Sequence, residues 1–380
     1  MLDGFSLRVR QLHSSPVREI LAVIGRPGMV SFAGGLPATE TFPDLSLAEL
    51  PRDCLQYGPS EGEPALRAAI ADELAARGLS CPPERILLLS GSQQGIDLVS
   101  KLYIDPGTPV AVETPTYLAA LQVFRFFGAR LQGLDVLHGA REQAGDARPA
   151  FAYAIPTFQN PTGHCYSDAE RAALAAVCDA RGIALFEDDP YRDLVYDECE
   201  RRPVCARLQS APWIYQGSFS KSLAPGLRLG FLAASAEVFP YLYRLKQAAD
   251  LHSSRLSQWL VLQQLTDAGQ AARLRDLAAF YRERRDRFAE LLQRHFADLA
   301  TWTVPRGGLF FWLELNGSVD CSQLLPAALE RGVAFMPGTP FFPEAGAGTT
   351  SLRLNFSHAS AADADRGLAV LADLIRQRGR

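Results

Sequence analysis

The most reactive arrangement in this chain surrounds Lys221, in QGSFSKSLAPGLRLG (216–230). It follows an apolar run that reads as a strand, and a strand-end Lys in a layered α/β protein faces the ligand crevice at the strands' carboxyl ends. Burial and nearby positive charge lower an amine's pKa, and a neutral amine condenses with a carbonyl. Ser218 and Ser220 precede this Lys and Arg228 follows it. Two hydroxyls and a guanidinium beside an amine describe a phosphate holder next to a carbonyl-reactive group. A lone Lys more often lies in solvent; the flanking residues separate this one from that fate. Lys101 and Lys246 lie on expected helices without such neighbours.

Other segments supply complementary chemistry. Ser92 and Gln93, in GSQQ, stand between a strand and a helix, where free backbone N–H groups receive a phosphate or a Ser simply caps the helix. Asn160, in PTFQNPTGH, is kept out of helix by Pro161, and its amide can donate to a phenolate oxygen. FEDDPY ends a strand with adjacent acids, costly there unless paired or functional. Asp188 would bind a protonated ring nitrogen, and Tyr191 would bond a phenolic oxygen. A metal is the weaker rival there, because no His or further acid stands at ligand spacing. Tyr117, in TPTY, would stack on an aromatic ring or serve as a core aromatic at a helix start. Arg353, inside the apolar strand SLRLNFS, needs an anion from the protein or from a substrate. Tyr57, in YGPSEG, and Gly35, in SFAGGLP, mark Gly-rich turns. Pyridoxal 5′-phosphate carries the phosphate, aldehyde and ring that these groups suit.

The elements that must position these residues alternate strands with helices, the pattern of an α/β fold. Strands are expected at 84–90, 108–113, 151–156, 182–189, 213–218 and 228–234. Helices follow the first two, and Ser167 with Glu170 has capping-box spacing for a helix running to Arg181. Residues 236–297 read as mostly helical with a break at Gly269. A second α+β pattern follows: strands at 308–315, in VAFMPG and at 351–357, a helix in CSQLLPAALERG, and a closing helix over 360–379. The 137–150 stretch is the most loop-like.

Composition narrows the class of partner. Among 38 Lys and Arg, Lys stands only at 101, 221 and 246, yet 42 acidic residues leave a net charge of −4. No polybasic tract exists, which argues against nucleic-acid binding by bulk charge. No run approaches the roughly 18 apolar residues of a membrane helix, and MLDGFSLRVRQ lacks a basic-then-apolar leader. The seven Cys are odd in number and contain no CxxC, so neither a disulfide framework nor a zinc site is expected. A cytoplasmic protein with reduced thiols and no metal is the reading.

In this order, the motifs SFAGGLP, YGPSEG, GSQQG, TPTY, QNPTG, EDDPY, SFSKSLAPGLRLG, KQAADLHSS, PRGGLFFW, PGTPFFP and LRLNFS resemble the fold-type I pyridoxal-phosphate-dependent aminotransferases. The resemblance covers nearly the whole chain and is nearest to the subgroup of 2-aminoadipate, kynurenine and aromatic aminotransferases. The same module forms the C-terminal part of MocR-type regulators. It implies a large domain over 46–285 with a mostly parallel seven-stranded sheet, and a smaller α+β domain from 1–45 and 286–380. Lys221 would carry the cofactor in Schiff-base linkage, with Asp188 on the ring nitrogen, Asn160 and Tyr191 on the phenolic oxygen and Tyr117 on the ring face. Ser92, Gln93, Ser218, Ser220 and Arg228 would hold the phosphate, joined by Tyr57 of the partner subunit in a homodimer. Arg353 would take the substrate carboxylate, assisted by Asn160 and backbone at Gly35. Arg18, in PVREIL, matches a mobile segment that contacts substrate side chains in some relatives.

The implied reaction is ping-pong transfer of an amino group from an amino acid to a 2-oxo acid. A β-lyase, decarboxylase, cyclase or oxidase could use the same cofactor residues, since a fold does not fix a reaction. A regulator would need a DNA-binding region before SFAGGLP, which begins at residue 31, and that reading is set aside. His164 and Cys165 replace the small or apolar residues usual after QNPTG in relatives and are expected to be structural.

Overall fold

The structure is a computed structural model that describes residues 4–10, 28–134 and 148–379. Arg18 and most of the 137–150 stretch lie outside the described residues. The large sheet contains β2 (Ile86–Leu89), β3 (Pro109–Val112), β4 (Arg130–Gly133), β5 (Phe151–Ala154), β6 (Ala184–Asp189), β7 (Trp213–Ser218) and β8 (Gly230–Ala234). Their order is β2-β8-β7-β6-β5-β3-β4, and only β8 runs against the rest.

The central strands are continuously buried rather than alternating, because helices cover both faces. On one face Leu66, Ile70, Leu174 and Val261, from helices Pro64–Ala76, Asp168–Arg181 and Arg255–Thr266, pack on Leu88, Ala152 and Leu185. On the other, Ile96, Val99, Leu121, Phe124 and Leu242, from helices Ser92–Tyr103, Leu118–Phe126 and Phe239–Asp250, pack on Val110, Tyr153 and Ile214. The parallel strands therefore end on one edge, where the loops after β2, β3, β5, β6 and β7 converge.

Beyond helix Gln270–Phe296, an antiparallel sheet is built from β9 (Ala300–Trp302), β10 (Phe310–Leu315), β12 (Met336–Pro337) and β13 (Ser351–Asn355), in the order β12-β13-β10-β9. A parallel pair joins β1 (Val30–Ser31) to β11 (Val333–Ala334). Phe32 N donates to the carbonyl of Ala334 and Asn355 N to that of Phe32, so the SFAGG segment is bound to the C-terminal part of the chain.

The structure refines several expected boundaries. The strand expected at 228–234 begins at Gly230; Arg228 lies before it in a left-handed conformation, φ 47°. The expected strand in VAFMPG divides at Phe335 into β11 and β12, which join different sheets. The helical stretch breaks near Leu251–Ser254 as well as before Gln270, giving three helices. Edge strand β4 went unforeseen because RLQG is polar and only partly buried. The capping box forms as expected: Glu170 N donates to Ser167 Oγ, and Ser167 N donates to the Glu170 carboxylate.

Candidate active site

A cavity of about 340 Å3 opens at the carboxyl edge of the large sheet. Its lining includes Gly35, Ser92, Gln93, Tyr117, Asn160, Asp188, Tyr191, Ser218, Ser220, Lys221, Arg228 and Arg353. Among the described residues, every sequence-expected site residue is thus present except Tyr57; Arg18 lies outside the described residues. Tyr57 is 76% exposed and lies edge-on to His252, away from this cavity.

Lys221 sits in the turn after β7, with its free surface on the cavity. Its Nζ donates to the carbonyl of Gly35 at 2.8 Å. Burial, and then the positive charges of Arg353 and Arg228, bring this amine down to about 8. Roughly a tenth of it is therefore neutral at pH 7, far more than for an ordinary Lys.

Asp188 is the penultimate residue of β6, with Tyr153 Oη donating to Oδ2 and Gln216 Nε2 to Oδ1, each at 2.8 Å. Burial outweighs these bonds and pushes the carboxyl up to about 6. Among the described residues no Lys or Arg pairs with it. Arg353, 5% exposed, donates from Nη1 to Asn160 Oδ1 at 2.8 Å and from Nη2 to the carbonyl of Ala33 at 2.6 Å. Its guanidinium carbon lies 4.1 Å from the Phe310 ring centroid, and its Nε has no partner. Burial lowers this guanidinium to about 10. Asn160 Nδ2 donates to Tyr191 Oη at 3.4 Å, joining the loops after β5 and β6.

The opposite end of the cavity is built for close approach. Gly91 has φ 86°, and a Cβ there would lie 2.4 Å from Arg228 Nη2. A Cβ on Gly230 would lie 3.0 Å from Ser92 N. The helix start at Ser92, the Ser218 and Ser220 hydroxyls and Arg228 therefore face one volume, suited to an anion.

One cavity thus holds an unpaired buried carboxylate and three cationic side chains without a carboxylate partner among the described residues. This charge separation fits pyridoxal phosphate, whose ring nitrogen can carry a proton, whose phosphate is anionic and whose aldehyde meets an amine. The residues fit the group.

The chain matches the family model "Aminotransferase class I and II" over residues 28–371. It is 39% identical to the 2-aminoadipate transaminase of Thermus thermophilus, over 93% of this chain and 92% of that protein. The chain belongs to the class I and II aminotransferases. This aminotransferase is also 32% identical to aromatic-amino-acid aminotransferase 1 of Thermococcus litoralis, over 98% of this chain and 94% of that one. Its structure superposes on that of the Thermus thermophilus α-aminoadipate aminotransferase complexed with N-(5′-phosphopyridoxyl)-L-leucine, with a TM-score of 0.89, 37% identity and coverage of 99% and 98%. It is a fold-type I enzyme, a transaminase that uses pyridoxal phosphate.

Sequence reasoning missed the residues that hold the site from behind. Gln216 and Tyr153 orient Asp188, and their signal was a polar group inside each apolar strand. Lys246, expected to be an ordinary helix residue, is fully buried and donates to Gln94 Oε1, the Asp250 carboxylate and Ser253 Oγ. Gln94 follows Ser92 and Gln93 directly, so this network braces the helix start that faces the cavity. Among the described residues no cluster of His, Cys, Asp and Glu could hold a metal, and no helix is long and apolar enough to cross a membrane.

Proposed function

We propose that this aminotransferase takes bulky L-amino acids, 2-aminoadipate-like or aromatic, and passes the amino group to a 2-oxo acid such as 2-oxoglutarate or pyruvate by ping-pong turnover. The supporting observation is Arg353. A buried guanidinium with a free Nε, sharing a cavity with the Lys221 amine, awaits a carboxylate attached to a reacting carbon. Beside it the cavity is lined by Leu36, Leu118, Ala119 and Phe310, apolar surface for a large side chain. The names of the 2-aminoadipate and aromatic relatives support the same substrate classes. Arg18 is the cation we assign to the side chain of an acidic donor.

Bound there, pyridoxal phosphate supplies an aldehyde that condenses with amines and a ring that draws electrons from the substrate's α-carbon. Asp188 holds a proton on the ring nitrogen. Asn160 and Tyr191 bond the phenolic oxygen, and Tyr117 stacks on the ring. Ser92, Gln93, Ser218, Ser220 and Arg228 hold the phosphate, with Tyr57 of the partner subunit. Arg353, supported by Asn160 and backbone at Gly35, binds and orients the α-carboxylate. Lys221 would take the proton from the substrate's α-carbon as a base and deliver it, as an acid, to the carbonyl-derived carbon C4′ of the cofactor.

We assign a homodimer, supported by the exposure of Tyr57 together with Leu47 and Leu55. We place the larger domain over 46–285 and the smaller over 1–45 and 286–380, a division supported by the pairing of β1 with β11. Seven free thiols suit a reducing, cytoplasmic setting. The test is a half-reaction. Holoenzyme mixed with 2-aminoadipate or an aromatic amino acid should convert its bound cofactor to the amino form and release the 2-oxo acid. Consumption of the amino acid with ammonia or carbon dioxide, and no amino form, overturns the reading.

A further inference from the structure

Away from the cofactor cavity, two thiols line a second cavity of about 580 Å3, between the loop after β5 and the turn before β10. Cys165 and Cys199 are both half-buried, and neither lies in a helix or strand. In its thiol form Cys165 Sγ donates to the carbonyl of Glu200 at 3.3 Å, which puts the Cys199–Glu200 backbone against it. Both thiols line this one cavity, and each bears on the other's ionisation. Arg171 Nη2 lies 3.7 Å from Cys165 Sγ. That guanidinium is fully buried, and its other partners are the carbonyls of Tyr166, Arg202, Pro156 and Glu200 and the Thr157 hydroxyl. Among the described residues no carboxylate pairs with it. A buried cation with no carboxylate in direct contact, and Glu187 and Asp189 only at longer range, favours negative charge on the adjacent sulfur.

We propose that Cys165 and Cys199 form a peroxide-sensitive dithiol, a modification site in which Cys165 attacks and Cys199 resolves. The Cys199 thiol, followed by the Arg171 charge, brings the Cys165 thiol down to about 6 against the cost of burial. The Cys199 thiol is raised, since it serves as the donor and is itself partly buried. In the first step the Cys165 thiolate attacks a hydroperoxide oxygen. An S–O bond forms, the O–O bond breaks, and the leaving oxygen takes a proton and departs as water or an alcohol. In the second, Cys199 Sγ attacks the Cys165 sulfenic sulfur. The S–S bond forms, the S–O bond breaks, and water leaves with the Cys199 proton. The thiols lose two electrons, and the peroxide gains them.

The other thiols make the contrast. Cys81, Cys178, Cys205 and Cys321 are buried, and burial raises each. Cys54 is half-buried, with its thiol raised by burial and by Asp53. Neither Cys165 nor Cys199 lines the cofactor cavity, so serine at either position should leave transamination unchanged.

The experiment treats full-length holoenzyme, freed of reductant, with one equivalent of hydrogen peroxide and maps the peptides without reduction. The expected result is a peptide joining Cys165 to Cys199, with the thiols restored by dithiothreitol. In Cys199→Ser a sulfenic-acid trap should label Cys165. In Cys165→Ser the fast phase of peroxide consumption should fall at least tenfold, and Cys54→Ser should leave it intact. Iodoacetamide should label Cys165 faster than Cys54 at neutral pH, because the Cys165 thiol is lowered and the Cys54 thiol raised. Both thiols remaining free while Cys54 oxidises, or Cys165 labelling no faster than Cys54, overturns the proposal. The wild-type peptide map alone decides it if a variant fails to fold.

Discussion

Two lysines in this enzyme, Lys246 fully buried and Lys221 half-buried on the cavity wall, have opposite surroundings. Lys246 Nζ meets Gln94, Ser253 and the Asp250 carboxylate, so its donors are engaged and its charge is balanced. Lys221 Nζ has one carbonyl partner and faces two guanidiniums. Burial lowers both amines, but at Lys246 the Asp250 bond and charge oppose that shift, whereas at Lys221 Arg353 and Arg228 add to it. Burial alone therefore does not make an amine reactive. The fold makes Lys221 available by withholding a counter-ion, and makes Lys246 structural by supplying one.

The sharpest way to break this comparison is Lys221→Arg. It keeps a charge and a long stem but removes the titrating amine, so turnover should fall by about 10³-fold or more with the fold intact by circular dichroism. Next is Arg353→Gln, which should lower kcat/KM for α-amino acids by roughly 10²-fold to 10³-fold, as expected for a desolvated charge partner. An amine without a carboxylate should lose far less, and equal losses for both would remove Arg353 from substrate binding.

Asp188→Asn tests the other unpaired charge. The folded chain holds this proton up to about 6, against an ordinary value of 3.8. The folded state thus binds the proton more tightly than the unfolded state, and ionisation costs stability as pH rises between those values. Without cofactor, wild type should lose roughly 3 kcal/mol relative to the Asn variant from pH 3 to pH 7. Cofactor should stabilise wild type more than the variant at pH 7. Parallel pH–stability curves in denaturant titrations would show that Asp188 is not the isolated acid described.

The smallest effect should come from Lys246→Met. Removing the ammonium leaves Asp250, which is partly hydrated, and should cost about 1–2 kcal/mol in denaturant melts. Cofactor affinity should weaken by no more than about tenfold, with turnover at saturating cofactor unchanged. A loss of turnover matching Lys221→Arg would erase the distinction between the two amines.

The site residues were legible because their chemistry is encoded locally. Ser218, Ser220, Lys221 and Arg228 fall in one segment after a strand, and Asp188 and Tyr191 in another. Parallel strands must end on one edge, so local motifs after successive strands were bound to meet. Elements were legible where periodicity was strong, as in β7 and the capped helix Asp168–Arg181. They were not where a short edge strand such as β4 draws its order from a neighbour.

The sequence by itself determined the reactive groups and the order in which the strands deliver them. Only the tertiary structure decided which charges go unanswered. Gly35 reaches Lys221 because β1 pairs with β11, a contact between chain regions some three hundred residues apart. Lys246 finds its braces, and Cys165 the carbonyl of Glu200, by packing between segments that no local pattern links. A pKa depends on what surrounds a group in space, and that surrounding is set by long-range contacts which spacing along the chain does not record.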